Sequence, residues 1–100
     1  NLLSKEEIES RLASAPGWRT EGSVLVKEFQ FPSYLAGIEF VRALAEEAEV
    51  MNHHPDLSVG WRKVTVSLST HSAGGITGLD FELAEKADRR AVTAGGGDAV

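Results

Sequence analysis

The sequence predicts an α+β domain of order α-β-β-α-β-β-α, with a four-stranded, mainly antiparallel sheet and three helices packed on one of its faces. Three observations predict it. Leu57, Val59 and Trp61, then Val64, Val66 and Leu68, recur at a period of two, as in half-buried strands. Elsewhere apolar residues recur at steps of three and four, as on one face of a helix. Paired strands and single helices follow one another in blocks, which favours an antiparallel sheet with its helices on one side.

Each element has its own signal. Ser4-Lys5-Glu6-Glu7 reads as a capping box, in which Ser4 and Glu7 satisfy the first free amides of a helix carrying Ile8 and Leu12. Pro16-Gly17 ends it. Trp18 to Glu21 reads as a short strand, Gly22-Ser23 as a turn, and "VLVKEFQF", Val24 to Phe31, as its hairpin partner, rich in β-branched and aromatic residues. Ser33 is a candidate N-cap for the longest helix, whose stripe is Tyr34, Ile38, Val41, Ala45 and Ala48, widened by Phe40, Leu44 and Met51. Pro55 disfavours helical geometry at His54, so the helix is expected to stop near His53. A third strand over Leu57 to Trp61 and a fourth over Val64 to Leu68 flank a turn near Arg62-Lys63. "SAGGI" is a loop, with His71 near the strand end, and Thr77 caps a last helix carrying Leu79, Leu83 and Ala87. Residues 1–92 are expected to form a single domain, and 93–100, "TAGGGDAV", a mobile tail without apolar periodicity.

Composition narrows the function. The net charge is −5 and no basic stretch exceeds Arg89-Arg90, which disfavours direct binding of nucleic acid through its phosphates. No apolar run approaches the ~20 residues of a membrane span, and no basic-then-apolar leader pattern is present, so a cytoplasmic location is expected. The chain has no cysteine, which excludes disulfides and thiolate chemistry and restricts any metal to His and carboxylate ligands.

The chemistry concentrates in "EVMNHHPDL", Glu49 to Leu57, which holds two of the three histidines. Glu49 and His53 lie four apart, so their side chains can meet on one helical face. The carboxylate there either orients a working ring or forms an exposed ion pair worth about 0.3–0.5 kcal/mol. A metal held by Glu49, His53 and His71 is a minor reading, because the neighbouring rings of His53 and His54 diverge. Ser69, Thr70 and Ser72 flank His71, but no nucleophile-elbow pattern is present. Proton transfer remains, since an imidazole titrating near ~6.5 both gives and takes protons at neutral pH.

The ordered set Glu49-x-x-x-His53-His54-Pro55, then Trp61, then "THSAGG" with His71, then Asp80, with Gly17-Trp18 upstream, resembles the pterin-4a-carbinolamine dehydratase family. The resemblance runs from the first helix to about Arg90. It implies a lyase of tetrahydrobiopterin recycling that removes water from 4a-hydroxytetrahydropterin to give quinonoid dihydropterin, with pterin as substrate and no metal or other cofactor. It also implies that His53, His54 and His71 are catalytic, His53 and His71 moving protons while His54 mainly positions the pterin. Substrate binding is expected from His53, His54 and Pro55 and from Thr70, His71, Ser72 and Ala73. Trp18 is expected either as an aromatic wall of the site or as core. Glu49 supports by orienting a histidine, and Asp80 chiefly as a charge at a helix N-terminus. Homodimers or homotetramers are implied too, as is a protein partner, since members in animals serve as cofactors of homeodomain transcription factors. The alternative is a dimerisation or partner-binding module whose pterin pocket is incidental or only binds.

Overall fold

A computed structural model describes residues 1–98. Its elements are α1 (Lys5–Leu12), β1 (Arg19–Glu21), β2 (Val24–Gln30), α2 (Tyr34–Met51), β3 (Asp56–Val59), β4 (Lys63–Leu68), α3 (Gly78–Thr93) and β5 (Gly97–Asp98). The sheet runs β1-β2-β4-β3, all antiparallel, and the two-residue β5 pairs with β2 beyond the end of β1. The α+β architecture therefore holds, with one short strand more than the sequence predicts.

Register decides which side of the sheet is apolar. Leu25, Lys27 and Phe29 of β2 lie opposite Leu68, Val66 and Val64 of β4, and paired residues share a face. That face meets Phe40, Leu44 and Ala48 of α2 and Leu83, Ala84, Ala87 and Ala91 of α3, while Ile8 and Leu12 of α1 pack against the same core. Phe29, Phe31 and Phe40 form its centre, with the Phe40 ring centroid 5.0 Å from each of the other two. Such stacking adds about 0.5–1.5 kcal/mol per pair beyond the burial of area.

The buried row of α2 is one side of the expected stripe, the side of Phe40, Leu44 and Ala48. Gly37, Phe40, Leu44 and Ala48 face the sheet, while Tyr34, Leu35 and Ile38 are exposed. Two adjacent apolar rows compete on this helix, and the one that sets Gly37 close against Val64 and Phe31 takes the core. Trp61 and Leu79 are corrected as well. Trp61 lies past the end of β3 and is 73% exposed, and Leu79 also faces outward.

Lys27 is a cation on the core-facing row, and an unpaired charge there is costly. Its ammonium group reaches Asp88 at 2.8 Å, Asp98 at 2.8 Å and the Pro16 carbonyl at 3.0 Å, and lies 4.8 Å from the Phe29 ring centroid. Asp98 belongs to the segment expected as a mobile tail. In the structure, Thr93 completes α3, and Gly97 and Asp98 pair with β2. Gly96 makes the path feasible, because a Cβ there would overlap the Phe31 ring. Positions 99 and 100 of the expected tail lie outside the described residues. Among the described residues, no helix is long and apolar enough to cross a membrane.

α2 and α3 are also joined by Glu47, whose carboxylate accepts from Arg90 Nε at 2.8 Å. That hydrogen bond holds the Glu47 carboxyl below the ordinary carboxylate value, against a smaller opposing effect of desolvation. A value lower in the folded than in the unfolded chain gives stability that is present above the unfolded value and lost as pH falls through the folded one. Glu47→Gln is therefore expected to flatten the acid side of the stability–pH curve, measured by urea denaturation between neutral and acidic pH.

Candidate active site

The histidine pair is set by how α2 ends. Asn52 takes the left-handed conformation, φ 50°, and the His53 amide donates back to the Ala48 carbonyl at 3.0 Å. This is a helix-terminating turn that Asn tolerates better than most residues. It takes His53 off the helical face that also carries Glu49. His53 turns inward, with only 10% of its side chain exposed, and its Nε2 lies 2.6 Å from Asp80 Oδ1. His54 turns outward, and its Nε2 meets Glu49 Oε2 at 2.5 Å with both side chains largely exposed. Glu49 thus orients a histidine, but it is His54 rather than the i+4 partner His53.

Asp80 comes from the other side of the site. Thr77 caps α3, and Thr77 and Asp80 form a capping box in which the Thr77 amide donates to Asp80 Oδ2 at 2.9 Å. The carboxylate is fully buried, 0% exposed, at the positive end of the helix dipole. Thr70 closes the arrangement. It pairs with Gly75 across a loop that holds His71–Ala73 as one 3-10 turn, and Gly74 completes that turn at φ 78°. The Thr70 hydroxyl points inward, 2.9 Å from Asp80 Oδ2 and 2.7 Å from Thr77 Oγ1. His71, the next residue, lies on the exposed rim.

Of the residues singled out from sequence, His53, Thr70 and Asp80 are therefore joined directly, and His71 follows Thr70. His54 and Glu49 form the solvent side, with the half-buried Pro55 next in the chain. Ser72 and Ala73 line a shallow cavity of about 720 Å³ with Thr70, Thr77, Gly78 and Leu79. Of the two expectations for Trp18, the structure shows the core one: it is 6% exposed, packs edge-on against Phe29 and donates its indole N–H to Asp88 at 3.1 Å. Asp80 is more than a helix-end charge, since it also holds His53. Sequence reasoning gave Thr77 only a capping role. The spacing Thr77-x-x-Asp80 carried the signal, because a cap whose fourth residue is acidic holds that carboxylate in place.

Known proteins resemble this chain in sequence and in fold. The model of the family described as Pterin 4 alpha carbinolamine dehydratase matches residues 1–90. The chain belongs to the pterin-4-alpha-carbinolamine dehydratase family. A relative from Roseiflexus castenholzii, provisionally named a pterin-4-alpha-carbinolamine dehydratase, is 52% identical over 87 residues, covering 87% of this chain and 94% of the relative. A relative from Mycobacteroides abscessus with the same provisional name is 49% identical, covering 87% and 93%. Among solved structures, a transcriptional coactivator/pterin dehydratase from Brucella melitensis superposes with a TM-score of 0.88 at 30% identity, over 91% of this chain and 99% of that one. A pterin dehydratase-like protein identified as a RuBisCO assembly factor in the alpha-carboxysome matches with a TM-score of 0.61 at 27% identity, over 74% and 86%.

The two histidine–carboxylate pairs of this family member differ in burial, and that difference is measurable. Glu49→Ala removes an exposed pair and is expected to change stability by no more than about 1 kcal/mol. Asp80→Ala strands three buried donors and removes the helix cap partner, with an expected loss of about 3 kcal/mol or more. Urea denaturation of both variants checks the contrast, and equal losses would contradict it.

Proposed function

We propose that this chain dehydrates 4a-hydroxytetrahydropterin to quinonoid dihydropterin, with His53 and His71 moving the protons. The reaction is a 1,2-elimination: the C4a–O bond breaks as the hydroxyl takes up a proton and leaves as water, and N5 gives up its proton as the N5–C4a double bond forms. Oxidation state does not change, so no electron carrier is required, and two proton-transfer groups are enough. One observation carries the reading: in a member of this family, the inward-turned His53 is bonded to a buried carboxylate that is also held by Thr70, the residue before His71. His54, on the solvent side, would hydrogen-bond and position the pterin. The Thr70–Ala73 loop and Pro55 would frame it. A cytoplasmic place in pterin recycling fits such a substrate.

Apolar surface favours a second role as a binding partner, with or without catalysis. β3 is an open edge of the sheet, and Val59 at its end and Trp61 just past it are exposed. Ile38, Val41 and Ala45 of α2 line an open hollow of about 650 Å³ with Arg42, Glu46 and Glu49 at its rim. An unpaired edge beside apolar side chains suits another copy of the chain, in a homodimer or homotetramer, or a protein partner. The names of the two solved relatives, one a coactivator and one an assembly factor, lend support to this reading.

Stopped-flow absorbance of freshly generated 4a-hydroxytetrahydropterin separates the readings, with the unaided loss of water as control. The chain is expected to accelerate dehydration, and His53→Ala or His71→Ala to lower the turnover rate by about 10²–10⁴. Folded protein without acceleration would leave the binding role as the better account.

A further inference from the structure

The hydrogen bonds around Asp80 fix where each proton sits. An ionised carboxylate only accepts, and a threonine hydroxyl has one proton to give. Thr70 gives its proton to Asp80 Oδ2, 2.9 Å away. The 2.7 Å contact between the two threonine hydroxyls must then be donated by Thr77. Thr77 Oγ1 itself accepts from the Leu79 amide at 3.2 Å, and the Thr77 amide is the second donor to Oδ2. With Oδ2 doubly occupied, Oδ1 takes its hydrogen bond from His53, so Nε2 of that ring carries a proton.

We propose that Thr70 and Thr77 are positioning residues: their hydroxyl relay holds the Asp80 carboxylate so that neutral His53 is kept as the Nε2–H tautomer, and Nδ1 is the nitrogen that exchanges a proton with substrate. The catalytic half of this statement rests on the dehydratase reading. The tautomer does not, since it follows from the hydrogen bonds alone. In either direction of transfer the moving proton uses Nδ1, because Nε2 stays engaged with Asp80. The relay also links the cap of α3 to the site, so the same hydroxyl that starts the helix orients the ring at the end of α2. Among the described residues, Asp80 is the charged side chain bonded to His53. The neighbouring titratable groups are engaged or turned away: Glu49 is bound to His54 on the solvent side, and His71 lies on the exposed rim after Thr70.

The test combines ¹⁵N NMR of labelled histidine side chains with stopped-flow kinetics, on the full chain and on Thr70→Val, Thr70→Ser and Thr77→Val. Valine keeps the branched shape and removes the hydroxyl, whereas serine keeps the hydroxyl. In the unmodified chain with His53 neutral, the Nε2 resonance is expected to be the protonated one. Thr70→Val is expected to give a tautomer mixture, to shift the pH profile of kcat and to lower kcat by about 10- to 100-fold, less than full loss of the acid–base group. Thr70→Ser is expected to restore all three. Thr77→Val also removes the cap of α3, so its tautomer shift is read only at a temperature where the variant is folded. Neutral His53 protonated at Nδ1, or an unchanged tautomer and pH profile in folded Thr70→Val and Thr77→Val, would overturn the relay. Expected tautomer shifts without any acceleration by the unmodified chain would uphold the relay and overturn its catalytic half.

Discussion

One buried carboxylate organises this protein. Asp80 has no exposed surface, and an ionised carboxylate in that position is tolerated only when its oxygens are hydrogen-bonded. Its donors come from three separate places in the chain: His53 beyond α2, Thr70 beyond β4, and Thr77 at the cap of α3. Satisfying Asp80 therefore brings three element ends to one point. Two of those ends carry His53 and His71, the residues proposed to move the protons. The same contacts that remove the cost of burying a charge bring these residues together, so stability and the proposed function share one set of bonds.

The rest of the fold makes that convergence rigid. α2 and α3 lie on one face of the sheet over the Phe29, Phe31 and Phe40 cluster, and their relative position is held by packing as well as by the Glu47–Arg90 pair. A second buried charge, Lys27, lies two helical turns further along α3, opposite Asp88. Its partners tie the loop before β1, the body of α3 and the terminal strand β5 together. Asp80 thus serves the site and Lys27 the far end of the helix, both through charge satisfaction inside an apolar layer.

Most of the scaffold was legible in the sequence because its signals are local. The capping box at Ser4–Glu7, the Ser33 cap and the period-two runs of β3 and β4 each depend on neighbours within a few residues. The misreadings were of another kind. Choosing between two apolar rows on α2 requires knowing what faces them, and here Val64 and Phe31 accept Gly37 against the sheet. The terminal segment lacks apolar periodicity, yet it docks because Asp98 finds Lys27 and Gly96 clears Phe31, both distant in sequence. In the site, the three histidines and Asp80 stood out by type and spacing. Their pairing did not, because the left-handed turn at Asn52 exchanges the partners that helical spacing alone would assign. Trp18 looked equally suited to wall and core, and the Asp88 carboxylate that claims its indole N–H lies 70 positions away.

The most direct measurement is a crystal structure of the chain with a 7,8-dihydropterin bound. The account predicts the pterin ring between His53 and the His71–Ala73 turn, with Nδ1 of His53 facing its N5–C4a edge and Asp80 still bound to Nε2. A ring seated elsewhere, such as the hollow on α2, or an Asp80 carboxylate released from His53 on binding, would contradict it.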